Sequence, residues 1–215
     1  MILHGLPLSP FVRKVMFMLA ELGLDVEQKM VPPQGDAPDF RAASPLGRIP
    51  AFEDGDFKMS DSSAICHYLA LTHGSSLMGQ ADPQRFARIV WYDKYADEDL
   101  APPALQLLVE RVVKRVRFEQ PSDEVAVATI INEQLPPVFD VLDAQLAASG
   151  QNWFVGDAFS FADMAVAAHL SDLPLAGIEL DAQRWPALGA WFERALARPS
   201  IASAVEAARR LAAGE

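Results

Sequence analysis

Apolar and polar positions divide the chain into two unlike halves. MILHG, residues 1–5, is a short apolar stretch of strand character. From Pro10 onward, Val12, Val15, Met16, Leu19 and Leu22 recur at helical spacing, and Gly23 sits where a helix C-cap is expected. DVEQKMV (25–31) predicts a second strand. Four prolines between 32 and 45 predict a loop, with one helical turn near Phe40. Asp54-Gly55 between IPAF and FKMS is a hairpin signal. Ser60-Asp61-Ser62 then opens a helix through Ile65, Tyr68 and Leu69. Residues 1–74 therefore read β-α-β, loop, β-β-α.

HGSSLMGQADPQ (73–84) is polar and turn-rich, and everything after it carries helical spacing. Asp82-Pro83 is an N-cap followed by a first-turn proline. That helix is expected to run to about Leu100 and to break at Pro102-Pro103. A second covers about 104–118, and Ser122, Asp123 and Glu124 cap a third, which Pro136-Pro137 should kink or split. Ser160-Phe161-Ala162-Asp163 is a Ser-x-x-acid capping signal, read as structural. Two more helices flank Arg198-Pro199-Ser200. The expected organisation is an α/β domain over 1–74, a linker over 75–84 and an all-α domain over 85–215.

Charge narrows the function. There are 18 basic and 29 acidic residues, a net charge of −11, and no basic run with interleaved aromatics. Nucleic acid and anionic membranes are poor partners for such a surface. The single cysteine, Cys66, excludes an internal disulfide and Cys-x-x-Cys chemistry, and suits a cytoplasmic setting. Its place one turn into a helix reads as structural. The N-terminus lacks the charged region and cleavage site of a signal peptide, and no run of apolar residues is long enough to predict a membrane span. His4, His67, His73 and His169 have no metal-ligand spacing, so no metal is expected. Arg13 and Lys14 on the first helix are expected to be solvated.

Five stretches in one order carry more information than any of them alone: SPFVRKV (9–15), SPLGRIPAFEDG (44–55), SDSSAICHYL (60–69), FVGDAFSFADM (154–164) and WPALGAWFERALARPS (185–200). In these the chain resembles the cytosolic glutathione S-transferases, in particular bacterial members of serine type. The resemblance covers nearly the whole chain. It implies an α/β thioredoxin-like N-terminal domain plus an all-α C-terminal helical domain, a homodimer, and glutathione as cosubstrate.

The resemblance also assigns roles. The Ile49-Pro50 peptide is cis in the family, which leaves the Ile49 N–H and C=O facing outward to pair with an extended peptide; an ordinary X-Pro turn is the alternative. Asp61 and Ser62 lie where a strand meets a helix, whose free N–H groups attract anions. Ser62 and those donors would hold the γ-glutamyl carboxylate, and Asp61 its ammonium. The alternative is a plain helix cap. The family more often has Glu where this chain has Asp61. Arg48 would hold the glycine carboxylate, or be merely exposed.

Ser9 before Pro10 is a good N-cap. A hydroxyl at a helix N-terminus can also donate to a thiolate. A free thiol has a pKa of about 8.5. Lowering it by about 1.5 to 2 units takes roughly 2 to 3 kcal/mol, within reach of a charge-assisted hydrogen bond plus the helix end. Some family members use Tyr or Cys for this. Here no tyrosine precedes Tyr68 and no cysteine precedes Cys66, so Ser9 is the expected catalytic donor. The implied reaction joins glutathione to a small hydrophobic electrophile. Leu6 and Pro7 would form one wall of its pocket, and Trp91, Tyr92, Tyr95, Leu105 and Leu108 the other. A glutathione-dependent cis–trans isomerase and a non-catalytic glutathione-binding scaffold are the rival readings.

Overall fold

The computed structural model describes residues 1–214. Its first part is β1 (Ile2–His4), α1 (Pro10–Glu21), β2 (Glu27–Lys29), α2 (Pro38–Ala43), β3 (Ala51–Asp54), β4 (Phe57–Ser60) and α3 (Ser62–Thr72). The sheet order is β2-β1-β3-β4, with β1 parallel to β2 and antiparallel to β3. The hairpin turns at Gly55, which has positive φ. Leu3 and Phe52 pair across the sheet and are fully buried. Val12, Val15, Leu19, Ile65 and Leu69 belong to the same core cluster.

The remaining residues are helical. A long helical run begins at α4 (Pro83–Tyr95), whose N-cap Asp82 accepts from the Gln84 and Arg85 N–H groups. It continues through α5 (Ala101–Leu108) to α6 (Lys114–Phe118). α7 (Glu124–Thr129) and α8 (Leu135–Ser149) form a second long run. α9 (Phe161–Leu170), α10 (Asp172–Leu175), α11 (Pro186–Leu196) and α12 (Pro199–Ala213) complete the bundle.

The expected break at Pro102-Pro103 does not occur. A π-helical turn over Ala96–Leu100 precedes the prolines, and the Ala101 N–H bonds back to the Ala96 carbonyl. The wider turn accommodates rings that would otherwise clash within a helix at a cost of about 3 kcal/mol or more. Pro136-Pro137 is handled alike: Ile130–Gln134 is π-helical and the Leu135 N–H reaches the Ile130 carbonyl.

Of the described helices, Glu124–Ser149 alone has the length and hydropathy to cross a bilayer. It buries Val127, Ile130, Leu135, Phe139, Leu142 and Leu146 in the core. Asp140 accepts from the Trp185 indole N–H at 2.7 Å, and Asp143 from the Ala187 and Leu188 N–H groups. Those six residues are core packing, while Val125 and Val141 on the same run stay exposed.

The bundle is centred on Asp163, which lies at the start of α9 and is fully buried. Its carboxylate accepts from the Ser160 N–H (2.9 Å), the Ser160 hydroxyl (3.0 Å), the Phe154 N–H (3.0 Å) and the Trp191 indole (2.9 Å). Burial still pushes its pKa above the ordinary value. The Ser160–Asp163 signal is thus structural, as its pattern implies. Asp163→Ala is expected to lower the unfolding free energy by about 3 kcal/mol or more, since several buried donors lose their acceptor. Asp163→Asn, which keeps one acceptor oxygen, should cost less. Urea unfolding followed by tryptophan fluorescence checks the order.

Candidate active site

The N-terminal ends of α1 and α3 open onto one cleft of about 1120 Å³ between the sheet-bearing part and the helical bundle. Ser9, Arg48, Ile49, Pro50, Asp61 and Ser62 all line it. Ser9 stands at the N-cap of α1, and its carbonyl accepts from the Arg13 N–H at 3.0 Å. Its hydroxyl makes no cap hydrogen bond. The side chain is therefore not spent on the helix, unlike an ordinary serine cap.

Asp61 does spend its side chain on the helix. It caps α3 by accepting from the Ala64 N–H at 3.0 Å. Its backbone has φ +92°, a conformation that L-residues with a side chain adopt at a cost. Ser62, the first residue of α3, is buried and borders the cleft.

The Ile49–Pro50 peptide is cis. The Ile49 N–H and C=O pair with no other group among the described residues. Arg48 is exposed at the cleft. Its carbonyl accepts from the Ser44 hydroxyl at 2.7 Å, while its guanidinium has no partner among the described residues. The loop carrying it is held by Arg41, which donates to the Gly35 carbonyl (2.6 Å) and the Gln34 carbonyl (3.0 Å). Gly47 packs against Arg41 so closely that a Cβ there would lie 2.6 Å from Nη1, and its φ of +67° also favours glycine.

Arg13 and Lys14 are not solvated: both are fully buried. α1 is packed on several sides, against α3, α9 and α12, so even its polar positions lie inside. Arg13 donates to the Pro7 (3.0 Å) and Leu8 (2.8 Å) carbonyls just before Ser9. On its other side it donates to the Ala168 carbonyl and the Asp172 carboxylate. Burial pushes Asp172 up to about 7, and Arg13 only partly offsets this. Lys14 donates to Asp93 (2.8 Å), Asp97 (2.6 Å) and the Ser63 hydroxyl (3.4 Å). Burial alone would lower the Lys14 pKa, but the two carboxylates together raise it.

Asp97 also accepts from His169 Nε2 at 2.9 Å and borders the cleft. Sequence reading missed these positioning residues. The available signal was the set of acidic residues at 93, 97 and 172, on helices that face α1.

Other expectations change as well. Leu6, Leu105 and Leu108 border the cleft. Pro7 does not: it is buried beneath, its carbonyl held by Arg13. Trp91, Tyr92 and Tyr95 do not line the cleft either. Trp91 stacks on Tyr95 at 5.4 Å and Tyr92 packs on Phe154 at 4.7 Å, on other faces of α4. Cys66 is structural, fully buried, and its thiol pKa is raised by that burial. His4, Asp39 and Glu53 converge within ligand distance of a cation. Each is already engaged: His4 with Glu53 (2.6 Å), Asp39 with Lys29 (2.6 Å) and Glu53 with Lys58 (2.7 Å).

A small mixed sheet flanked by helices, a helical bundle, and a cleft between them fed by two helix N-termini define the architecture of a glutathione transferase. The pattern of the glutathione S-transferase N-terminal domain matches residues 3–77, and that of the C-terminal domain matches residues 106–207. The chain is 34% identical over 212 residues to a glutathione S-transferase of Hyoscyamus muticus, covering 95% of this chain and 97% of that protein. It is also 34% identical to glutathione S-transferase 3 of Zea mays, covering 95% and 93%. Among solved structures, glutathione S-transferase III in apo form aligns with a TM-score of 0.78 at 31% identity, covering 95% of each chain. Glutathione S-transferase-I bound with lactoylglutathione aligns with a TM-score of 0.85 over 96% of this chain and 98% of that one; at 21% identity it bears on the fold alone. The chain belongs to the glutathione S-transferase family.

The polar network beside the cleft makes stability depend on acid. Burial would raise the Asp97 pKa, but the His169 and Lys14 contacts outweigh it, and the folded value lies below the ordinary 3.8. A depressed acid contributes stability above its unfolded pKa and loses it as pH falls through the folded value. Wild-type stability should therefore fall as pH drops below 3.8. Asp97→Asn should flatten that acid limb and cost about 2 kcal/mol at neutral pH. Urea midpoints measured across pH test both.

Proposed function

We propose that this transferase binds glutathione along the Ile49 backbone and ionises its thiol beside the Ser9 hydroxyl. The thiolate then attacks a small hydrophobic electrophile. The observation that carries the reading is Ser9 itself, a half-buried serine at a helix N-cap whose hydroxyl does not cap the helix. A donor left open to a ligand cleft, at the positive end of a helix dipole, suits a developing thiolate.

Each end of the tripeptide has a complementary group. The free Ile49 N–H and C=O suit the cysteinyl backbone, strand to strand. The α3 N-terminus with Ser62 suits the γ-glutamyl carboxylate. Asp61 uses one oxygen as a cap and offers the other to the ammonium. Arg48, unpaired among the described residues, suits the glycine carboxylate.

The thiol proton leaves to water, and the sulfur electron pair forms the new bond to carbon. In a displacement the leaving group departs with its own pair. In a conjugate addition the pair moves to the carbonyl as an enolate, which then takes a proton. Ser9 donates a hydrogen bond throughout and forms no covalent bond.

The curated relatives do not favour the isomerase or scaffold readings. Exposed Phe57 and Leu71, and Trp91 on α4, suit a second copy of the chain, so a homodimer belongs to the same proposal. So does a cytoplasmic location.

Ser9→Ala should lower kcat/KM by roughly 10- to 100-fold, the worth of one charge-assisted hydrogen bond. It should leave glutathione affinity within a few-fold. The pH at which bound glutathione ionises, followed by thiolate ultraviolet absorbance, should rise by about 1 to 2 units. Unchanged turnover and unchanged ionisation in the variant would remove Ser9 from the mechanism.

A further inference from the structure

Beyond Ser9 the cleft continues as an apolar strip that ends in a cation. Leu105, the neighbours Leu108 and Val109, Val113 and Val116 follow one another at about one-turn intervals, and Leu211 of α12 faces the same space. Residues 101–118 contain four cationic side chains. Three of them are engaged. Arg111 pairs with Glu124 (2.7 Å), Lys114 with Glu110 (2.6 Å), and Arg115 donates to the Ala212 carbonyl (2.9 Å). Arg117 is the fourth and lines the cleft, and it meets no carboxylate or carbonyl among the described residues. Its guanidinium lies 5.7 Å from the centre of the Phe118 ring.

We propose that the electrophile is an elongated apolar molecule ending in a carboxylate, and that Arg117 reads that carboxylate. The proposal deepens the transferase reading and rests on it. A protein with net charge −11 repels anions in general. An uncommitted guanidinium at the end of an apolar strip reverses that locally, and its planar fork matches a carboxylate. Length follows from the helix. Leu108, in one apolar cluster with Leu8 beside Ser9, stands nine residues before Arg117. That is at most roughly 14 Å at 1.5 Å per residue, because the π-helical turn over Val109–Val113 rises less per residue. The reach of the arginine side chain leaves up to roughly 8 Å of apolar body between reacting carbon and carboxylate. Asp61 and Asp97 are held at the α3 end of the cleft by their contacts to Ala64 and Ser63.

The test uses the intact enzyme and two conjugated straight-chain alkenals, one ending in a carboxylate and the other in its methyl ester. The remote group leaves the reacting carbon electronically alike in both. Wild type should favour the carboxylate by about fivefold in kcat/KM, and the preference should shrink in high salt. Arg117→Gln should lower kcat/KM for the carboxylate about fivefold and leave the ester within twofold; Arg117→Lys should retain part of the preference. Equal rates for the two alkenals in wild type, or equal slowing of both by Arg117→Gln, would overturn the proposal. Titration of the two preformed glutathione conjugates makes the same comparison without turnover. An enzyme inactive on both alkenals would remove conjugate addition to alkenals from the proposed reaction, while the titration still decides the role of Arg117.

Discussion

A buried ammonium ties the two parts of the molecule together. Lys14 projects from α1 into a space with no water contact and is met there by Asp93, Asp97 and Ser63. An unpaired charge at that depth would cost several kcal/mol. The acids come from the helical bundle and the hydroxyl from α3, so satisfying one cation forces α1, α3 and α4 into a single arrangement. Arg13, the next residue back, does the same with α9 and α10 and grips the two carbonyls ahead of Ser9. The placement of the Ser9 hydroxyl is thus a consequence of how two neighbouring cations find their acceptors. Buried ion pairs contribute little net stability but discriminate strongly between arrangements. That is the property a cleft between two packing units requires.

The cleft brings two helix N-termini onto one shared space. Each offers unpaired N–H groups and a positive dipole end. At α3 the Asp61 side chain takes up one of those donors, and its backbone holds a φ of +92° to do so. At α1 the Ser9 side chain takes up none. The two caps therefore divide the work: one completes the helix and closes the turn from β4, and the other is left open to the cleft.

Much of this was legible from residue order. The hairpin at Gly55, the caps at Asp82 and Asp123, the Ser160–Asp163 box and the start of α1 at Pro10 follow from local chemistry, because each depends on a few neighbouring residues. Ser9, Arg48, Ile49, Pro50, Asp61 and Ser62 were legible as a group only through their resemblance to a family, since no local rule places 9 beside 61. What remained hidden was long-range. Arg13 and Lys14 look like surface charges on an amphipathic helix until that helix is seen to be packed on several sides. Trp91, Tyr92 and Tyr95 look like pocket walls because aromatics at helical spacing do not reveal which face they occupy. Pro102-Pro103 reads as a stop, because the rule that proline ends a helix takes no account of a widened turn just before it.

That widened turn links the backbone irregularity to the site. A π-helical turn adds one residue without ending the helix, and it shifts every later side chain around the axis by about 100°. Asp93 lies before the turn and Asp97 within it. Both reach Lys14, yet Asp97 also meets His169 and the cleft, whereas Asp93 is buried entirely. After the turn, Leu105 and Leu108 face the cleft, while Trp91 and Tyr95, ahead of it, do not. Two prolines that would break a regular helix are accommodated by the same deformation after which Leu105 and Leu108 line the cleft, while Ala104 and Leu107 stay in the core. The shape of the cleft at Leu105 and Leu108 is therefore written in Pro102-Pro103 and the turn before them as much as in the residues that line it.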